Sequence, residues 1–151
     1  MNKNLKGKTY PIVTYEVGRE KIFEYARATL STNPYCTDPE FAARSHYGAV
    51  VAPPTFAAVY CHNAMRMVFD DQELGMNIPR VVHGEQTFEF GEVVKSGDVI
   101  TTTTTIRDIL VKENKEGIEN VLLLVRTESV NQDGKMVCFG RWTIVERGSD
   151  E

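Results

Sequence analysis

The chain is short of the features that most quickly assign a protein to a class. It has no basic run, and its 17 lysines and arginines are outnumbered by 21 aspartates and glutamates, for a formal net charge of −4. Nucleic acid is tracked by clustered positive charge, so a nucleic-acid partner is not expected. No apolar stretch approaches the roughly 20 residues a membrane span needs. Met1 to Lys8 is polar and lacks the apolar segment of a signal peptide, so a soluble, cytoplasmic protein is the expectation. Cysteine is sparse too: Cys36, Cys61 and Cys138 are odd in number, far apart and form no CxxC. Free thiols follow, with neither a disulfide framework nor a metal site expected.

What is present suits one ordinary domain spanning residues 1–151, since 42% hydrophobic content at this length can bury a real core. From Gly18 to Leu30, Ile22, Phe23, Ala26 and Leu30 share one helical face while Glu20, Lys21, Glu24 and Arg27 take the other. Asn33-Pro34 and Asp38-Pro39 then punctuate a loop. Asp38 reads as the N-cap of a short helix reaching about His46, with Pro39 at its first position. Pro53-Pro54-Thr55 opens a helix to about Phe69 that is apolar nearly all round, interrupted by His62, Asn63 and Arg66. Such a helix is expected to be buried.

After Pro79 the period changes to two, with Val82, Phe88 and Phe90 alternating against His83, Glu85, Thr87 and Glu89. Ser96-Gly97-Asp98 turns the chain into a long β-branched run, Val99 to Val111, whose Thr101 to Thr105 suit a pleated surface. Glu116-Gly117 leads to a strand with Val121, Leu123 and Val125 inward, and Asp133-Gly134 marks a hairpin into Met136 to Val145. A weaker strand is expected at Thr9 to Tyr15. The order is strand, helices, then four consecutive strands. It implies an α+β hot-dog fold, an antiparallel sheet wrapped around one buried central helix.

Several separated motifs carry a resemblance: Tyr15-Glu16-Val17-Gly18-Arg19-Glu20-Lys21-Ile22, Val51-Ala52-Pro53-Pro54-Thr55-Phe56, His83-Gly84-Glu85-Gln86-Thr87-Phe88-Glu89-Phe90 and Ser96-Gly97-Asp98. Together, from about Tyr10 to Ile144, they resemble the MaoC-like dehydratase family, in its N-terminal, FAS1-like type. That type includes the non-catalytic subunits of heterodimeric 3-hydroxyacyl-carrier-protein dehydratases. The resemblance implies hydration of a trans-2-enoyl thioester, or the reverse, by an Asp/His pair in a loop reading Asp-x-Asn-Pro-aliphatic-His. Laid over Asn33-Pro34, that loop puts Ser31 at the aspartate and Cys36 at the histidine. Syn addition of water needs one group to take a proton and another to deliver one. Neither residue does this unaided, so both positions are expected to be inactive. The plainer reading of Ser31, Asn33 and Cys36 is a capped, proline-stopped loop without chemistry.

His83 beside Glu85 is the alternative base, weighed against an ordinary solvated or interface pair. His62 and Asn63 are more simply polar partners than metal ligands, and nothing places His46 at the loop. Asn33 and the run Pro54, Thr55, Phe56, Ala57, Ala58 are expected to face the substrate, with amides at the helix start receiving a carbonyl oxygen. An ordinary N-cap explains Thr55 equally well. Three functions remain open: an acyl-thioester-binding subunit whose partner carries Asp and His, a self-sufficient hydratase or dehydratase with a relocated base, and a hot-dog thioesterase using Asp38 or Glu40. The expected partners are acyl-CoA or acyl-carrier protein, as substrate and not as cofactor, and a second chain in a homodimer or heterodimer.

Overall fold

Thr101–Thr105 lie in the longest strand of a five-stranded antiparallel sheet, as their branched side chains favour. The structure, a computed structural model, describes residues 1–149. Its strands are β1 (Val13–Glu16), β2 (Val81–Phe90), β3 (Val99–Glu113), β4 (Glu119–Val130) and β5 (Met136–Glu146), in the spatial order β1-β3-β4-β5-β2. Helices α1 (Arg19–Ala28), α2 (Pro34–Thr37), α3 (Pro39–Arg44), α4 (Ala57–Tyr60) and α5 (His62–Phe69) lie between β1 and β2 in sequence. Among the described residues no helix is long and apolar enough to cross a membrane.

Side chains alternate along the ladder, so Ile100, Thr102, Thr104 and Ile106 of β3 and Leu123, Val125, Thr127 and Ser129 of β4 face inward and are buried. Phe56, Ala57, Tyr60, Cys61, Ala64, Met65 and Val68 pack on that layer from α4 and α5. Three of these four buried hydroxyls find partners, while Thr104 Oγ1 has none among the described residues. Thr102 and Ser129 hydroxyls meet at 2.8 Å, Trp142 Nε1 donates to Thr127 Oγ1 at 3.0 Å, and Cys61 Sγ lies 3.7 Å from Ser129 Oγ. This is the expected hot-dog arrangement.

Three details depart from the sequence reading. The first strand is shorter than Thr9 to Tyr15, because Pro11 has no N–H to give and Thr9 makes only a single bridge, to Thr105. The central helix starts as a 3-10 turn at Pro54–Phe56, then runs through α4 and α5 across Cys61, which stays right-handed (φ −81°, ψ −12°). It is not buried all round: Ala58, His62, Asn63 and Arg66 are exposed on its outer side. On β2, Val82 and Phe90 do not enter the core and are 41% and 49% exposed: the bulge at Gly84 turns Val82, paired with Val145, to the outer face, and Phe90 stands at the end of an edge strand.

One polar tie fastens the N-terminal segment. Asp71 Oδ2 accepts from Lys8 Nζ (2.8 Å) and Tyr10 OH (2.6 Å), and Asp71 Oδ1 from the Glu73 N–H (3.1 Å). Burial alone would push the Asp71 carboxyl up, but these donors outweigh it and hold the group below its usual value of 3.8. A depressed folded pKa gives stability that is complete above the unfolded value and lost as the pH falls through the folded one. Asp71→Asn is therefore expected to lower the melting midpoint at pH 7 by about 2–4 °C. The gap between variant and parent should close below about pH 4. Thermal melts from pH 7 into acid check this, and a gap unchanged by acid excludes the charge as its cause.

Candidate functional site

The loop after α1 is set by a backbone exception. The Leu30 N–H bonds Arg27 O (3.1 Å) and the Ser31 N–H bonds Ala26 O (2.8 Å), the two bonds of a Schellman end. Its left-handed position, usually glycine, is held by Leu30 at φ 55°, with the side chain 86% exposed. A β-carbon there costs about 1–2 kcal/mol. Leu30→Gly should recover about 0.5–1 kcal/mol in urea denaturation after glycine's greater unfolded-state entropy is deducted. A loss of stability would mean that the leucine side chain contributes through contacts its exposure argues against.

From this turn the loop satisfies itself. Ser31 Oγ accepts from the Asn33 N–H at 3.4 Å, and Asn33 Oδ1 caps α2 by accepting from the Tyr35 N–H at 3.1 Å, with Pro34 at the first position. The Asn33 carbonyl receives the Cys36 N–H (2.9 Å) and Thr37 Oγ1 (3.0 Å). The segment anticipated as plain loop thus contains the single helical turn α2, which carries Cys36 inward. Tyr35 O then accepts from the Val51 N–H (2.9 Å), and the Ala52 N–H reaches Val94 O (2.8 Å).

Those two bonds bring the loop, the start of the central helix and the segment after β2 around a cavity of about 390 Å³. Its floor is apolar and deep: Phe56 is 0%, Val137 2% and Tyr60 3% exposed. At its mouth stand Asn33, Pro54, Phe90 and Glu92. Phe90 and Val93, 49% and 44% exposed, form an apolar rim. Cys36 lines the wall, and burial pushes its thiol up, away from the reactive thiolate. Burial likewise raises the Tyr60 phenol, which sits against Cys138. No aspartate or histidine lines the cavity among the described residues, and its one carboxylate is the exposed Glu92. The arrangement can hold an apolar chain with a polar end at the mouth; it offers no carboxylate/imidazole pair for proton transfer.

Of the residues singled out from sequence, Asn33, Cys36, Pro54 and Phe56 meet here. Ser31 is half-buried in its turn and does not line the cavity. Thr55 is exposed, and its carbonyl accepts from Tyr25 OH (3.0 Å). Ala57 lies in the core and Ala58 on the outer side of the helix. The anticipated row of amides is thin: Pro53 and Pro54 have none, and the Phe56 and Ala57 N–H groups are taken by Pro53, Pro54 and Thr55 carbonyls.

His83 lies elsewhere, its ring edge-on to Trp142 at 6.2 Å between centroids. A bulge at Gly84 pairs His83 with Ile144 and Glu85 with Thr143, neighbours that point to opposite faces, so Glu85 does not orient the imidazole. Asp38 caps α3 by accepting from the Glu40 and Phe41 N–H groups (both 2.9 Å), and neither Asp38 nor Glu40 reaches the cavity. His62 and Asn63 face outward, and the His46 ring lies tilted against Tyr47, a wall residue, with 3.8 Å between centroids. Sequence reasoning missed Tyr60, Val137 and Glu92 as site residues. Tyr60 stood in plain view on the apolar face of the central helix; the other two carried no local signal.

Comparison with known proteins places these features among relatives. A family model described as the FAS1-like, dehydratase domain region matches residues 4–139. A UPF0336 protein of Saccharopolyspora erythraea is 38% identical over all of this chain and 94% of its own length. The C-terminally truncated HadBC (3R-hydroxyacyl-ACP dehydratase) complex of Mycobacterium tuberculosis contains a chain 27% identical, with a TM-score of 0.76 over 93% of this chain and 96% of that one. A MaoC-like dehydratase, also 27% identical, superposes with a TM-score of 0.81 over 98% of this chain and 44% of its own.

Proposed function

Since the chain belongs to the family of FAS1-like dehydratase domain regions, we propose that it is the acyl-thioester-binding subunit of a hydratase/dehydratase whose acid–base pair comes from a second chain. One observation carries the proposal: a deep apolar cavity beside the Ser31–Cys36 loop that no aspartate or histidine lines among the described residues, with the loop's polar atoms spent on its own turns. The acyl chain runs inward between Phe56, Tyr60 and Val137, while the thioester stays at the mouth near Asn33. The partner's aspartate and histidine approach that mouth from outside, activating water and handling the α-proton. This chain contributes alignment and exclusion of water, both of which count in the transition state.

The docking surface follows from the same features. β2 presents an unpaired ten-residue edge beside exposed Phe90, Val93 and Met136, an apolar rim that isolated chains rarely leave to water. Support for a heteromeric partner comes from the similar HadBC chain, which is described as part of a two-chain complex.

Co-expression with a related chain that retains Asp and His tests the reading. A stable active complex is expected, and Val137→Phe should cut activity on long acyl-CoAs at least tenfold while sparing crotonyl-CoA, because the ring fills the floor. Failure to form any complex, or an unchanged chain-length profile in a folded complex, overturns this division of labour. The geometry gives no comparable support to a base at His83 or to a thioesterase carboxylate at Asp38 or Glu40.

A further inference from the structure

The outer face of the sheet, turned away from the central helix, carries a charged cluster that the acyl cavity does not use. Register sets Arg126 of β4 directly opposite Arg141 of β5, with Thr105 and Thr87 at the ends of the same row. Both arginines point outward, since their neighbours Thr127 and Trp142 are buried in the core and bonded to each other. Like charges facing each other across two strands cost stability. A third guanidinium, Arg107, stands at the β3 bulge between Ile106 and Asp108, the kind of irregularity that re-aims a side chain. All three line a depression of about 640 Å³.

Their forks are held in place. The Phe139 ring lies under both strand arginines, 4.7 Å from the Arg141 guanidinium carbon and 5.8 Å from that of Arg126. Glu89 takes one nitrogen of Arg141 at 2.6 Å and Glu128 one of Arg126 at 3.3 Å. Each guanidinium has five donors, so these contacts orient the groups without exhausting them. Arg126 Nε is shielded from solvent and has no acceptor among the described residues. Thr87 and Thr143 add hydroxyls to the wall, and Glu85 adds a carboxylate that, with Glu89 and Glu128, opposes an anion there.

We propose that this depression is a phosphate receptor, in which Arg126, Arg141 and Arg107 hold a phosphate or pyrophosphate group and Thr87 and Thr143 complete its hydrogen bonds. A tetrahedral dianion bridges two planar forks and cancels the repulsion between them, as no single carboxylate beside them does. Glu85, Glu89 and Glu128 hold the net field low, so binding is moderate in strength and falls steeply with salt. The phosphate has two candidate sources, the nucleotide end of a coenzyme A thioester and free inorganic phosphate. The site stands apart from the acyl cavity, so its failure leaves the subunit reading untouched.

Calorimetry at low and high salt on the full chain, with sodium pyrophosphate, coenzyme A and phosphate-free pantetheine as titrants, tests the proposal. Pyrophosphate and coenzyme A are expected to bind, and Arg126→Gln or Arg141→Gln to weaken each at least tenfold. Any pantetheine binding should survive both substitutions. Arg141→Lys, which keeps the charge but loses the fork, should also weaken pyrophosphate. Coenzyme A binding much tighter than pyrophosphate identifies the nucleotide source; equal affinities identify free phosphate. Arg141 is a half-exposed surface residue, and Arg107→Gln at the exposed bulge serves if the strand variants do not fold. Absence of pyrophosphate binding, or affinities unchanged in variants that melt like the parent, overturns the receptor.

Discussion

Purified alone, the chain is expected to hydrate crotonyl-CoA about 10²–10⁴-fold more slowly than a relative with Asp and His in the loop, the span that positioned acid–base groups contribute. Ser31 has a hydroxyl that does not ionise near neutrality, and its oxygen already receives the Asn33 N–H. Cys36 reaches the cavity but is buried, and burial raises its thiol, so at pH 7 it carries its proton and has no neighbouring cation to release it. Residual turnover should be insensitive to Ser31→Ala with Cys36→Ala. It should be equally insensitive to His83→Ala, because that ring rests on Trp142 away from the cavity. Steady-state assays decide; robust activity abolished by His83→Ala would transfer the chemistry to β2 and end the subunit reading.

Gly140→Ala is expected to cost about 2–4 kcal/mol and about 5–15 °C of melting midpoint. Gly140 sits in β5 opposite Thr127 and Phe88, on the crowded inner face. A β-carbon there would stand 2.4 Å from Thr127 Oγ1, 2.9 Å from Trp142 Nε1 and 3.2 Å from Phe88 Cε1. Relief requires Thr127 or Trp142 to move, and either motion breaks the bond between them and leaves a buried indole N–H without an acceptor. Chemical denaturation measures the loss. A cost under about 0.5 kcal/mol would show that the hydroxyl layer repacks freely.

The strands were legible because their signal is local. Alternation along Val99–Val111 and Met136–Val145, and the turns at Ser96-Gly97-Asp98 and Asp133-Gly134, read correctly from neighbours in the chain. Asp38 was legible as a cap for the same reason. The shorter first strand and the thin row of amides have local causes, in Pro11 and in Pro53 and Pro54, but the other misreadings are tertiary. Whether Val82 and Phe90 are buried depends on the bulge at Gly84, which turns Val82 to the outer face, and on β2 lying at the sheet's edge, and a simple alternation records neither. Ala57 and Ala58 look alike on an apolar helix, yet packing sends one to the core and the other outward. Val137 enters the cavity because it is the extra residue between Met136 and Cys138, opposite Val130 and Ser129. Arg126 and Arg141 become neighbours only through register, which alternation alone leaves open.

The sheet order also dictates when this chain can fold as it leaves the ribosome. Among the described residues β1 pairs only with β3, joining Glu16 to Val99, and β2 only with β5, joining Val81 to Glu146. The central helix and both edge strands are therefore synthesised before any surface exists to receive them. The β3–β4–β5 meander zips locally through its turns, but closure waits for the last strand, and loop-closure entropy is spent before the distant pairings repay it. Until then the apolar side of Phe56 to Val68 and the edge of β2 are open to other nascent chains. Truncation within β5 thus removes far more than one strand: β2 loses the strand it is paired with, and the apolar layer over the helix loses Trp142 and Ile144.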